Sequence, residues 1–134
     1  DGQLQLLESL STLPEDFEGS STAADIHVTP DGNFVYVSNR GGKGATSAVA
    51  VDSLAGFRLD PKERSLKKIG HFPMPQRPRS FSISPDGQYL ISAGQSDKTL
   101  SLYRINSDSG QLEAMASHVL EGTPNWVLIE PSSR

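Results

Sequence analysis

This sequence predicts an all-β protein of repeated four-stranded sheets turning about a common axis, a β-propeller. Three observations predict it. Two stretches are copies of one pattern: TAADIHVTPDGNFVYVSNR from Thr22 to Arg40, and RPRSFSISPDGQYLISAGQ from Arg77 to Gln95. Each reads as two short strands around a Pro-Asp-Gly turn. The turn prolines recur, with Pro85 standing 55 residues after Pro30 and Pro131 standing 46 after Pro85, close to the period of roughly 40 to 50 residues of propeller blades. Finally, no segment sustains a helical period, whereas each repeat holds four strand-like runs. A β-sandwich also shows short strands at regular spacing; the long repeat favours the propeller.

The elements follow in order. Asp1-Gly2 reads as a hairpin tip and Gln3 to Leu10 as its returning strand, an arrangement repeated at Asp108 to Gly110 and the QLEAMASH that follows. Ser11 to Ser21 is a polar connector. Ala23 to Thr29 is an apolar strand with little alternation, as expected of a strand buried on both faces. Asn33 to Asn39 fills both faces with Phe34, Val35, Tyr36 and Val37. The glycine-rich GGKGATS, Gly41 to Ser47, leads into a lengthened third-strand region over 48–59, surest at Leu54 to Leu59; Leu66 to Phe72 is the fourth strand. The second unit repeats the order with strands at Arg79 to Ser84, Gln88 to Ala93, Thr99 to Ile105 and Leu112 to Val119. Asn125 to Ile129 then resembles the first strand of a third unit.

Counting gives one orphan strand, two complete units and one closing strand. A ring needs roughly four to eight blades, so the chain reads as the C-terminal part of a single propeller domain. Residues 1–13 would be the last strand of a preceding blade, 20–73 and 77–120 two blades, and 124–131 a ring-closing inner strand. The other blades would come from the same polypeptide or from another copy.

Composition narrows the function. A net charge of −4 and a pI near 5.3 argue against a nucleic-acid partner. No apolar run approaches a membrane span, and no basic-then-apolar leader opens the sequence. The absence of cysteine removes disulfides, thiolate catalysis and Cys-ligated zinc. A cytoplasmic protein without metal or cofactor is the expectation. GGKGATS lacks phosphate-loop spacing and a following helix, so it reads as a flexible connection. His71 and His118 fall on outer-strand patterns, and Trp126 reads as packing at a blade junction.

In a propeller the end of the second strand and the start of the first share one face. Aligned on the turn prolines, Arg40 and Gln95 each stand ten residues after theirs, while Arg79 and Asn125 each stand six before. His27 precedes Pro30 by three on the inner strand, with Asp25 beside it at alternate spacing. The expected site is therefore a polar cluster of Arg40, Arg79, His27, Gln95 and Asn125, with Asn39 next to Arg40 and with Arg77 and Lys43 in nearby loops. Guanidiniums pair with carboxylate or phosphate, and an imidazole can move a proton near neutral pH. The expected ligand is a small anion.

At ADIHVTPDG, VYVSNR, PRSFSISPDGQYLISAGQ and PNWVLIEP, the chain resembles the lactonase family of seven-bladed β-propellers, which includes bacterial 6-phosphogluconolactonases and fungal 3-carboxy-cis,cis-muconate lactonizing enzymes. The resemblance implies metal-free hydrolysis of an anionic sugar-acid lactone such as 6-phosphogluconolactone; the fungal relatives open and close a muconolactone ring. It implies that Arg40 in SNR and His27 in ADIH belong to the catalytic site. Arg79, Gln95, Asn39 and Asn125 would bind substrate. Residues 41–53 are longer than in the bacterial enzymes and resemble the longer loop of the fungal ones. A non-catalytic propeller that serves as a binding scaffold is the alternative class.

Overall fold

The computed structural model describes residues 2–131. Its eight strands form two antiparallel sheets, each a simple meander: β1 (Ser21–Val28), β2 (Phe34–Gly41), β3 (Ser53–Asp60) and β4 (Ser65–Pro73), then β5 (Pro78–Ile83), β6 (Tyr89–Gly94), β7 (Thr99–Ile105) and β8 (Leu112–Val119). Every one falls on a run the sequence marks as a strand. Among the described residues, no helix is long and apolar enough to cross a membrane.

The Pro-Asp-Gly turns close β1–β2 and β5–β6 by the same chemistry. Gly32 and Gly87 take φ of 74° and 71°, a region that glycine enters without steric cost. Asp31 accepts the Thr29 hydroxyl at 2.6 Å and the Asn33 N–H at 3.0 Å; Asp86 accepts the Ser84 hydroxyl at 2.5 Å and the Gln88 N–H at 3.0 Å. These bonds, the hydroxyl foremost, hold both carboxylates below their ordinary range.

The two sheets meet face to face. Phe34, Tyr36, Leu54 and Phe72 of the first pack on Phe81, Leu90, Tyr103 and Ile105 of the second. Polar groups lock the rim of this seam. The Tyr36 hydroxyl donates to the Gly110 carbonyl at 2.7 Å, Gln111 Nε2 to the Ile69 carbonyl at 3.0 Å, and Tyr103 to the Pro73 carbonyl at 3.3 Å. Arg58 lies 4.7 Å above the Phe34 ring and donates to the Asp108 carbonyl. Gly110 is required here. Its φ is 72°, and a Cβ would stand 2.5 Å from both Phe34 and Ile69.

Two expectations change. β1 is not buried on both faces, since Ile26 and Val28 are 63% and 51% exposed. Together with Val35, Val37, Leu59 and Leu66 they form the face of the first sheet turned away from the seam. Residues 5–8 line a cleft of about 600 Å³ on that face. Among the described residues, the opposite face of the second sheet, with Ile91, Leu100 and Leu102, has no covering sheet. Nor do 3–10 and 125–129 form strands. A strand is completed by a ladder partner, and among the described residues neither segment forms a backbone ladder with another. Side chains hold them instead: Glu8 accepts the Leu66 N–H, and the Ser80 and Ser82 hydroxyls accept the Val127 and Ile129 N–H groups at 3.3 and 3.0 Å. Asp1 of the expected hairpin tip lies outside the described residues.

Two outcomes follow for the protein that carries this chain. Phe81→Ala empties a fully buried site at the seam, and should cost about 3–5 kcal/mol in urea unfolding; a loss below about 1 kcal/mol would contradict this packing. The turn carboxylates have folded-state pKa values below their ordinary 3.8. Their contribution is complete above that value and is lost as pH falls through the lower, folded one. The urea midpoint should therefore drop as pH falls below 3.8, and Asp31→Asn/Asp86→Asn should flatten that drop.

Candidate anion-binding cleft

Where β1 begins and β2 ends, a cleft of about 580 Å³ opens beside the start of β5. Its charged walls are Arg40, Arg79 and Asp25, and Asn125, Trp126, Ala23 and Ala24 complete it. The repeat explains this convergence. Ala24, Arg79 and Asn125 each stand six residues before a turn proline, so all three units present the same position to the cleft.

A bulge aims that position. In β1–β2, three steps from Ala23 to Ile26 face two steps from Asn39 to Val37. In β5–β6, two steps from Pro78 to Ser80 face one from Gly94 to Ala93. Each inner strand thus carries one extra residue, and in the second unit that residue is Arg79. A bulge bends its strand and turns a side chain out of the pleat, here into the cleft.

The two guanidiniums have no ion-pair partner among the described residues. Arg40 Nε is buried and makes no hydrogen bond, although its backbone is fixed within β2 and its carbonyl accepts the Ser21 hydroxyl at 3.1 Å. A buried donor left unpaired costs about 1–3 kcal/mol, and it suits a group that waits for an anion. Arg79 is exposed. Asn125 Oδ1 accepts from Gln95 Nε2 at 2.7 Å, so Gln95 acts one step behind the wall by orienting Asn125.

Asp25 joins the sheets at this point. Its Oδ2 accepts the Phe81 N–H at 3.2 Å, its Oδ1 accepts the Ile26 N–H at 3.0 Å, and its own N–H donates to Ser38 Oγ at 3.0 Å. His27 Nε2 stands 3.3 Å from Asp25 Oδ1 but is not aligned for a hydrogen bond. The pair is a close polar contact, not a closed one.

Gln95 is not the one departure from the expected cluster. His27 does not line the cleft. Its ring meets Phe81 edge-on at 4.7 Å, in the seam behind Asp25. Asn39 is not available to a substrate. It is 1% exposed, its Oδ1 accepts the Thr12 hydroxyl at 2.7 Å, and its Nδ2 donates to the Thr12 carbonyl at 2.7 Å. His71 Nε2 adds a second bond to that carbonyl at 3.0 Å. Asn39 therefore anchors the start of the connector. Arg77 and Lys43 are exposed and are not among the cleft walls.

The lengthened segment after Arg40 is an ordered loop, not part of β3. It folds onto the connector before β1 through a bridge between Glu18 and Thr46 and through Ser20, whose N–H donates to the Lys43 carbonyl and whose carbonyl accepts the Gly42 N–H. Asp16 accepts the Ala48 N–H at 2.6 Å and the Ser47 hydroxyl at 3.1 Å, and these bonds, the first foremost, keep its carboxylate below the ordinary range. Gly19, at φ 87°, allows the contact, because a Cβ there would lie 2.3 Å from the Gly44 carbonyl oxygen.

Comparison with known proteins agrees with this architecture. Residues 1–129 match the family model "Lactonase, 7-bladed beta-propeller". The chain is 34% identical to the 6-phosphogluconolactonase of Pectobacterium atrosepticum over 96% of its length and 36% of the relative's. It is 35% identical to that of Erwinia tasmaniensis, over 95% and 36%. Among solved structures, the periplasmic gluconolactonase of Pseudomonas aeruginosa superposes with a TM-score of 0.78 at 28% identity, covering 92% of this chain and 32% of that one. The chain thus spans about a third of the length of the relatives it matches.

The Asn39 geometry gives a direct test. Asn39→Ala should lower stability by about 1–3 kcal/mol while leaving the affinity of the cleft for phosphate-bearing ligands within about twofold. A large loss of affinity in a folded variant would return Asn39 to the binding site.

Proposed function

The chain belongs to the lactonase family of seven-bladed β-propellers, and from that premise we propose that the protein containing it hydrolyses a sugar-acid lactone, with 6-phosphogluconolactone the leading substrate. The observation that carries this reading is the pair of guanidiniums on one cleft, free of ion pairs among the described residues, with Arg40 Nε buried and unpartnered. Arg40 and Arg79 bind the phosphate or carboxylate, and one of them polarises the lactone carbonyl as negative charge develops on its oxygen. Asn125, oriented by Gln95, donates to substrate hydroxyls. The 6-phosphogluconolactonase names of the curated relatives support the substrate class.

In this reading the faces around Ile26 and around Leu100 are covered by other blades of the same ring, from the same polypeptide or from another copy. A phosphorylated substrate supports a cytoplasmic enzyme of carbohydrate metabolism. The ordered loop after Arg40 favours a second reading, a muconolactone-type substrate, because the resemblance ties a longer loop at this point to the fungal enzymes.

Lactone hydrolysis by full-length protein containing this chain tests the proposal. It should open 6-phosphogluconolactone faster than gluconolactone or a carboxymuconolactone. Arg40→Ala should lower kcat/KM by about 10²–10³-fold. Arg79→Ala should raise KM by about tenfold, the loss of about 1.4 kcal/mol of anion binding. An Arg40→Ala protein with unchanged kcat/KM contradicts the role of Arg40. A wild-type protein that opens none of the three lactones leaves the scaffold reading in its place.

A further inference from the structure

Among the described residues, Asp25 is the one carboxylate on the cleft wall, and its counterpart in the repeat shows what it adds. Asp25 and Ser80 each stand five residues before a turn proline. Both make the same clasp, since each side-chain oxygen accepts the N–H of the residue four before the next unit's proline. These bonds are Phe81 N–H to Asp25 Oδ2 at 3.2 Å and Val127 N–H to Ser80 Oγ at 3.3 Å. A serine hydroxyl therefore meets the structural demand of this position. A carboxylate there brings a charge that the clasp does not need, at a half-buried point where charge is costly. Its oxygens are fixed by two backbone N–H groups, and His27 stands behind it with Nε2 3.3 Å from Oδ1.

Resting on the lactonase reading, we propose that Asp25 is the general base of lactone opening, and that His27 is a positioning residue acting through it. Water gives a proton to the Asp25 carboxylate as its oxygen adds to the lactone carbonyl carbon. The resulting oxyanion faces a cleft guanidinium. The ring C–O bond then breaks, and the departing ring oxygen takes the proton back from Asp25 to become the product hydroxyl. One lactone and one water yield one hydroxy acid, and Asp25 ends ionised as it began. The charged and titratable groups around Asp25 are His27 on its own strand, Arg40 from β2 and Arg79 from β5.

The test uses full-length protein containing this chain with Asp25→Asn, Asp25→Ser and His27→Gln, assayed across pH. Asp25→Ser copies the native clasp of the second unit, so its melting temperature should stay at the wild-type value. Both Asp25 variants should lose about 10²–10⁴-fold in kcat with KM within about threefold, and should lose the acid limb of the kcat profile. His27→Gln should shift that limb and lower kcat by no more than about tenfold. Asp25 variants that retain wild-type kcat and pH profile overturn the proposal while leaving the lactonase reading intact. A wild-type protein without lactonase activity overturns both. Should neither Asp25 variant fold, His27→Gln decides, and an unchanged acid limb overturns the proposal.

Discussion

The seam between the two sheets is the constraint on which the other features depend. Phe81 enters the first sheet's aromatic layer, and its N–H is held by Asp25. With both contacts in place, β5 can sit at only one height and angle against β1. That fixes where Arg79 stands relative to Arg40. Among the described residues, neither arginine is positioned by a bond to the other, and no carboxylate pairs with either. Their convergence is a product of apolar packing some distance away, stiffened by the Tyr36 hydroxyl on the Gly110 carbonyl at the far end of the seam. Cores of this kind are close-packed and shift in discrete steps, so the cleft inherits their rigidity.

Repetition is what turns a packing rule into a site. The one-residue bulge recurs in both inner strands, and the position it aims into the cleft carries Ala24, Arg79 and Asn125 in turn. The clasp position carries Asp25 and Ser80. The inner strand and its turn have the same backbone plan in the two complete units; the side chains are not the same. Comparing equivalent positions therefore separates what the scaffold requires from what the cleft uses. The scaffold requires a hydrogen-bond acceptor at the clasp and a bulge beside it. The two arginines and the carboxylate go beyond that requirement.

Much of this was readable in the residues. The Pro-Asp-Gly turns and the apolar runs between them mark all eight strands, because turn chemistry and burial act locally. Counting from the turn prolines brought Arg40, Arg79, Gln95 and Asn125 to one face, because a repeated meander preserves that count. What was not readable depends on register and on distant partners. The bulge between Ala23 and Ile26 breaks the alternation by which His27 would be assigned to the cleft, and no residue type announces it. The engagement of Asn39 is set by Thr12, 27 positions away, and no local pattern encodes it. The exposure of Ile26 and Val28 follows from what stands beyond β1, not from their apolar character.

The central claim is that Arg40 and Arg79 act on one anion in one cleft. Calorimetric titration of 6-phosphogluconate, the product of the proposed reaction, into full-length wild-type protein, Arg40→Ala, Arg79→Ala and the double variant tests it most directly. The account predicts that each single variant weakens binding, and that the double variant weakens it by less than the sum of the two, since either loss already breaks the shared clamp. Binding that is unchanged in one single variant, or losses that add independently, would contradict it.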